Sequence, residues 1–247
     1  MATCNNTHPY PVSPFNAFKK HRPQMSMFSA LRRRDFTRIF LLGGAALNTA
    51  PHKVLVLGDS LSAEYGLAKG SGWVALMSER LRQQAASLEV VNASISGDTT
   101  SGGLSRLPQL LESTQPQVVL IELGANDALR GLSLRMTQSN LEKMVILCQS
   151  KGAKVVLIGM QVPPNYGPQY NEDFKMVFSK VAKEQHCTLV PFLLAGLEHH
   201  IKTLAPNERD LRAWFQDDQL HPLAKAHPFI LEGMWPTLEK ILTASSH

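Results

Sequence analysis

Cysteine is scarce in this sequence, with three residues in a chain of 247, and no metal-ligand spacing surrounds any of them. Cys4 lies near the amino terminus, Cys148 falls on a predicted helix and Cys187 just before a predicted strand. These positions favour buried apolar thiols for Cys148 and Cys187 over a disulfide between them. A disulfide between the two remains the alternative if the protein is exported. We expect neither a metal nor a cofactor.

Excess charge of one sign is absent from most of the chain. The whole sequence has a formal net charge of +5, which alone would suggest nucleic acid or an anionic membrane as a partner. Residues 1–50, however, hold seven basic side chains and one acidic side chain, whereas the remainder holds 18 basic and 19 acidic ones. The electrostatic case for nucleic acid therefore disappears. We expect a small-molecule substrate and a monomeric protein.

A long hydrophobic run is also missing. The apolar stretch at 39–47 is too short to cross a bilayer as a stable helix. It follows the basic stretch 31–38 and precedes the small-residue exit at 48–50, which is typical of an export signal. We expect residues 1–50 to form a leader, disordered or cleaved, with its signal at about residues 25–50. The protein would then be periplasmic or secreted, with no stable membrane anchor after the leader is removed.

The route of export has more than one interpretation. Arg33-Arg34, followed by Asp35-Phe36, resembles the twin-arginine pattern, in which paired arginines precede a polar residue and Phe. An ordinary Sec signal and an uncleaved anchor are the alternatives, because the cleavage pattern near Ala50 is weak.

Strand and helix patterns alternate from residue 52 onward, which predicts one three-layer α/β domain over residues 52–244 with a parallel sheet. We find no internal repeat and no second core. The predicted strands cover residues 54–57, 88–93, 118–123, 154–159 and 188–191. The predicted helices cover residues 72–84, 101–113, 137–150 and 172–185, and a last one begins at residue 222. The Pro- and Gly-rich loop 160–171 is expected to be functional or mobile, and 193–211 to be irregular with room for short helices.

Three residues with complementary chemistry lie at predicted strand and loop ends. The carboxyl ends of parallel strands meet at one edge of a sheet, so residues far apart in sequence converge there. Ser60 supplies a hydroxyl nucleophile, and His221 supplies an imidazole that exchanges protons near neutral pH. Asp218 can orient the imidazole through its second nitrogen. These types fit acyl transfer. Taken alone, Ser60 is equally well explained as a helix cap.

Two further residues could stabilise a developing oxyanion. The backbone N–H of Gly97, where no side chain blocks the substrate, and the side-chain amide of Asn126 are natural donors. Each signal is weak by itself, because Gly97 could be a turn glycine and Asn126 a helix cap.

Four blocks occur in the order and spacing of the SGNH (GDSL) hydrolases: G-D-S-L-S at 58–62, S-G-D-T-T at 96–100, G-A-N-D at 124–127 and D-x-x-H at 218–221. The sequence resembles this superfamily over nearly all of residues 54–242. The stretches V-V-N-A-S-I-S-G-D-T-T, L-I-E-L-G-A-N-D-A-L-R-G and P-P-N-Y-G-P-Q-Y-N resemble one branch more closely. That branch comprises bacterial periplasmic arylesterases and the multifunctional acyl-CoA thioesterase I and lysophospholipase.

The resemblance implies a flavodoxin-like sheet with strand order 2-1-3-4-5. It implies Ser60 as the nucleophile, with Asp218 and His221 completing the triad. It also implies that Gly97 and Asn126 join the backbone N–H of Ser60 as oxyanion donors.

The resemblance further implies where substrate binds. In relatives, the segment matching 127–132 is a mobile loop over the acyl site, and the one matching 163–166 lines the substrate crevice. The substrate-binding residues implied here are Asp127, Leu129, Pro163, Asn165 and Tyr166.

The sequence departs from the family at Glu64, where relatives usually have Gly. A carboxylate four residues after the nucleophile either faces solvent without effect, which we expect, or disfavours anionic substrates. Asp59 is expected to shape the turn that presents Ser60, since Asp218 already lies beside the histidine.

Together these features predict a metal-independent serine esterase that hydrolyses carboxylic esters, with thioesters and lysophospholipids in its range. A carbohydrate O-acetyl esterase is the alternative, because similar sites occur on sugar-ester hydrolases. A non-catalytic flavodoxin-like binding module fits less well, because Asp59 and Glu64 are a poor setting for a phosphate.

Overall fold

A five-stranded parallel sheet forms the centre of the protein. The computed structural model describes residues 52–84 and 87–243. The strands are arranged in the order β2-β1-β3-β4-β5, so the predicted flavodoxin-like topology is confirmed. Their bounds are β1 His52–Gly58, β2 Leu88–Asn92, β3 Val118–Glu122, β4 Lys154–Ile158 and β5 Thr188–Val190.

The apolar composition of the middle strands explains their place in the sheet. All five residues of β3 are buried, as are the last five of β1, which is expected of parallel strands covered by helices on both faces. The register pairs Gly58 with Glu122 and Val56 with Asn92. The carboxyl ends of β1, β2 and β3 therefore meet at one edge, which is where the predicted site residues follow.

Seven α-helices are present in the described part of the chain. They are α1 Trp73–Gln83, α2 Thr100–Thr114, α3 Ala125–Leu129, α4 Leu134–Ser150, α5 Pro168–Glu184, α6 Ala195–Thr203 and α7 His227–Thr243. Short 3₁₀ segments occupy Pro164–Tyr166, Pro206–Glu208, Leu211–Trp214 and Ala224–Ala226.

Several helix boundaries differ from the predicted ones. α5 begins at Pro168 rather than residue 172, because proline is well suited to the first turn of a helix; the predicted loop 160–171 is correspondingly shorter and contains a 3₁₀ turn. α6 is a nine-residue helix inside the stretch that was predicted to be irregular with room for short helices. α7 begins five residues late, because an antiparallel bridge between Phe215 and Pro222 keeps the chain extended there.

Helices α6 and α7 cross in direct backbone contact. A Cβ added to Gly196 would lie 2.7 Å from the Cα of Gly233, closer than a side chain can approach. Two glycines thus allow the helices to meet without side chains between them. Because α6 also forms a wall of the main cavity, this crossing sets where that wall lies.

Residues 1–50, the predicted leader, lie outside the described residues. Within the described part of the chain, no helix is both long and apolar enough to span a bilayer. Cys148 is a free, buried thiol and Cys187 a free, half-buried one. Burial raises the pKa of Cys148 to about 12 and that of Cys187 to about 11.

Candidate active site

Ser60 stands two residues after the end of β1, in a turn shaped by its neighbour Asp59. The Asp59 carboxylate accepts a hydrogen bond of 3.0 Å from the backbone N–H of Leu61. The backbone N–H of Asp59 in turn donates to the Glu122 carboxyl at the end of β3, at 3.3 Å. The nucleophile candidate is therefore held over two adjacent strand ends of the central sheet.

His221 connects Ser60 to Asp218. Its Nε2 lies 2.8 Å from Ser60 Oγ, and its Nδ1 lies 2.6 Å from Asp218 Oδ2. The order of hydroxyl, imidazole and carboxylate is the one that acyl transfer requires. The structure brings together the three residues that the sequence predicted, although Ser60 and His221 are 161 positions apart.

The loop that carries the histidine is built around the Asp218 carboxylate. Asp218 Oδ1 accepts from the backbone N–H groups of Leu220 and His221, at 2.9 and 3.0 Å. Partial burial opposes the charged form of Asp218, but these two bonds and the His221 ring outweigh it, so the pKa of Asp218 lies below its usual value. The carboxylate therefore stays ionised beside the imidazole at neutral pH.

Gly97 and Asn126 face the same cavity as Ser60 and His221. Gly97 has φ of 78°, a left-handed conformation in which a side chain would be strained. The Asn126 side chain donates from Nδ2 to Asp59 Oδ2 at 3.0 Å, which leaves its second N–H free to point elsewhere. Asp59 thus contacts both the nucleophile turn and the amide of Asn126.

Asp59 and Glu122 form a buried acidic pair beneath the nucleophile. Burial raises the pKa of Asp59 to about 6, against the lowering effect of hydrogen bonds from Leu61 and Asn126. Burial also raises the pKa of Glu122 well above its usual value, and the nearby Asp59 carboxylate raises it further. Glu122 accepts a bond of 2.7 Å from the Ser62 hydroxyl. Burial and the proximity of the two carboxyl groups therefore both oppose the presence of two negative charges at this point.

A cavity of about 610 Å³ opens beside Ser60. Its apolar walls come from residues near three loops and α6, including Val162, Phe192, Leu197 and Phe215. A cavity of this size with mostly apolar walls is typical of a small-molecule site.

The structure places some of the predicted substrate-binding residues in the cavity lining and others outside it. Leu129 and Pro163 line the cavity. Asp127 does not, because its buried carboxylate accepts bonds from the backbone and hydroxyl of Thr100 at the start of α2. Tyr166 and Asn165 also lie outside the lining. The Tyr166 hydroxyl donates to the Leu129 carbonyl and so supports the cavity wall from behind.

Tyr65 is a cavity residue that sequence reasoning missed. Its ring lies 4.5 Å from the His221 ring, centroid to centroid, and half of the residue is exposed. Gln216 connects the loop of His221 to that of Tyr65, because its side chain donates to the Tyr65 carbonyl at 2.9 Å. The sequence signal was limited to the position of Tyr65, five residues after the nucleophile.

Glu64 neither faces solvent freely nor points at the nucleophile. Its carboxylate accepts from the backbone N–H of Gly70, at 3.0 Å, and of Gly72, at 2.7 Å. Its φ of 59° lies in the left-handed region, a conformation that glycine adopts with less strain than other residues. The carboxylate therefore closes the loop 64–72 at the start of α1.

Comparison with known proteins agrees with this geometry. The GDSL-like Lipase/Acylhydrolase family model matches residues 56–228. Esterase TesA of Pseudomonas aeruginosa is 46% identical over 193 residues, which cover 78% of this chain and 90% of the relative. Thioesterase 1/protease 1/lysophospholipase L1 of Escherichia coli K12 is 36% identical over 222 residues, which cover 90% of this chain and all of the relative.

Similarity extends to solved structures. The crystal structure of TesA superposes with a TM-score of 0.70 at 45% identity, covering 77% of this chain and 99% of the other. A matching family model, a relative at 46% identity and a shared fold lead to one conclusion. This chain belongs to the GDSL-like lipase/acylhydrolase family.

Proposed function

We propose that the protein is a serine esterase that hydrolyses carboxylic esters through an acyl-enzyme on Ser60. The observation that supports this most directly is the hydrogen-bonded chain from Ser60 Oγ through His221 to Asp218, with distances of 2.8 and 2.6 Å. Such a chain gives the hydroxyl a base and fixes the tautomer of that base.

The reaction begins when His221 takes the proton of Ser60 and the oxygen attacks the acyl carbonyl. The backbone N–H groups of Ser60 and Gly97 and the side chain of Asn126 donate to the resulting oxyanion. His221 then protonates the leaving alcohol or thiol, and the carbonyl reforms as the acyl-enzyme. Water attacks next, gives its proton to His221, and the acid leaves as Ser60 recovers the proton.

The range of substrates is proposed from the cavity and from the relatives. One relative is an esterase and another is named as a thioesterase and lysophospholipase. An apolar cavity of about 610 Å³ accommodates an acyl chain. We therefore include thioesters and lysophospholipids in the proposed range, all processed at Ser60.

Replacement of the nucleophile tests the mechanism. Ser60→Ala and His221→Ala should abolish hydrolysis of a short p-nitrophenyl ester, an acyl thioester and a lysophospholipid alike. A fluorophosphonate should label the wild type and fail to label Ser60→Ala. Ser96→Ala, which removes another hydroxyl that lines the cavity, should still be labelled at Ser60. Wild-type turnover by Ser60→Ala would show that another group performs the reaction.

Export and a monomeric state are also proposed. The basic and apolar pattern of residues 1–50 supports export, with the domain over residues 52–244 as the mature part. Sequencing the amino terminus of the cell-derived protein tests it, because recovery of an intact leader from the cytoplasm would contradict export. Sedimentation of the purified domain tests the monomer.

A further inference from the structure

The loop that carries Gly97 lacks regular secondary structure of its own. Residues 93–98 connect β2 to the start of α2 and hold Gly97 at a positive φ. Two backbone bonds attach the loop to β1: Ala93 N–H to Val56 and Ile95 N–H to Gly58, at 2.9 and 3.0 Å. The position of the Gly97 N–H therefore depends also on the side chains that bind this loop.

Arg106, on the second turn of α2, reaches back to both ends of the loop. Its Nε donates to Asp98 Oδ2 at 2.8 Å, and its Nη1 donates to the Ala93 carbonyl. Its Nη2 lies 3.5 Å from the carbonyl oxygen of Gly58, two residues before Ser60. One guanidinium thus contacts the ends of β1 and β2 and the residue that follows Gly97.

These contacts are shielded from water. The Arg106 side chain is 21% exposed and that of Asp98 is 11% exposed, so solvent screens their ion pair less than a surface pair. The Asp98 carboxylate also packs against Gly102, where an added Cβ would lie 3.1 Å from Asp98 Cγ. Asp98 is therefore held between the guanidinium and the backbone of α2.

We propose that Arg106 is a positioning residue that fixes the Gly97 N–H relative to Ser60 for stabilisation of the oxyanion. This inference rests on the proposed function. A planar guanidinium has five donors in a fixed geometry, so it can hold three separate acceptors at once. Lysine would supply the positive charge without this fixed arrangement of donors.

The position of Arg106 predicts which kinetic constant changes. Arg106 lies outside the cavity lining, so it cannot contribute directly to substrate binding. A displaced oxyanion donor weakens only the transition state, which lowers kcat and leaves KM unchanged. A displacement of about 1 Å can cost about a hundredfold in rate.

Substitution of Arg106 provides the test. Arg106→Gln should lower kcat by about tenfold to a hundredfold with KM changed less than about threefold, and Arg106→Lys should fall between this variant and the wild type. Arg80→Gln is the control for loss of an arginine ion pair away from the site, because Arg80 pairs with the more exposed Glu232. The control should keep the wild-type kcat. Circular dichroism at the assay temperature establishes that each variant is folded.

Chemical rescue separates positioning from general stabilisation. Guanidinium at millimolar concentration should raise the kcat of Arg106→Ala and leave that of Arg80→Ala unchanged. A wild-type kcat in folded Arg106→Gln, a change confined to KM, or a loss of kcat that only follows the unfolded fraction would each overturn the inference. If instead Ser60→Ala retained full activity, the proposed function itself would fail.

Discussion

Replacing Asp59 by Asn should move activity and stability in opposite directions. In the wild type, Asp59 Oδ2 accepts the Nδ2–H of Asn126 at 3.0 Å, and Oδ1 accepts the N–H of Leu61. An Asn at position 59 that keeps the bond to Leu61 turns its own Nδ2 toward the Nδ2 of Asn126. Two donors then face each other, so the Asn126 amide rotates and presents its oxygen to the cavity.

The catalytic loss follows from that rotation. Loss of one oxyanion donor typically costs on the order of a hundredfold to a thousandfold in kcat, and Asp59→Asn should approach this range with little change in KM. Asn126→Ala removes the same donor directly. Because both variants disable one group, the double variant should be scarcely slower than either single variant.

The stability gain follows from the buried charge. The pKa of Asp59 is about 6 in the folded protein and 3.8 ordinarily, a gap of about two units. Below pH 3.8 both folded and unfolded states hold the proton, so Asp59 contributes no pH dependence there. As the pH rises above about 4 the unfolded state ionises first, so wild-type stability falls, by ~3 kcal/mol in total once both states are ionised. Asp59→Asn lacks this fall.

Urea unfolding at pH 4, 5, 6 and 7, together with steady-state kinetics, provides the assay. The unfolding free energy of Asp59→Asn minus that of the wild type should rise by ~2 kcal/mol between pH 4 and pH 7. Parallel pH profiles for the two proteins would refute a raised pKa at the buried Asp59. A kcat equal to that of the wild type would refute the role of Asp59 in orienting Asn126.

Three further predictions concern residues away from the reacting atoms. Glu64→Ala should lower the unfolding free energy by about 1–2 kcal/mol through loss of its loop hydrogen bonds. The ratio of its rates on neutral and anionic esters should stay unchanged. Glu64→Gly should lose less unfolding free energy than Glu64→Ala, because glycine adopts the φ of 59° at this position without strain. Gly233→Ala should lower the unfolding free energy by more than about 2 kcal/mol in denaturant titrations, since a side chain cannot fit against Gly196; wild-type stability would contradict the close helix crossing. In a variant without Cys4, Cys148 and Cys187 should resist iodoacetamide at pH 8, because burial raises both thiol pKa values. Rapid alkylation of the folded protein would contradict their burial, and the unfolded protein is the positive control.

The placement of Ser60 and Asn126 could be predicted because both residues lie beside strand ends. Parallel strands align their carboxyl ends regardless of the length of chain between them. Ser60 and Asn126 follow β1 and β3, which are neighbours in the sheet. The D-x-x-H spacing then places Asp218 beside His221 through the turn that both residues form.

Other parts of the site depend on distances that local patterns do not contain. The contacts of Arg106 with Asp98 and Gly58 result from the packing of α2 on the sheet. The sequence of a helix does not indicate which groups an arginine side chain will contact. Asp127 follows a predicted oxyanion residue and resembles a site residue in sequence, yet α3 turns it toward Thr100. Tyr65 meets His221 only because two loops converge.

The contact between Gly196 and Gly233 gives the enzyme a means of adjusting substrate choice from outside the cavity. Leu197 follows Gly196 directly and lines the cavity. A larger residue at either glycine would push α6 away from α7 and shift that wall without altering any side chain that the acyl group meets. Substitutions at this helix crossing can therefore change the preferred acyl length. A comparison of the cavity-lining residues alone would not detect such a change.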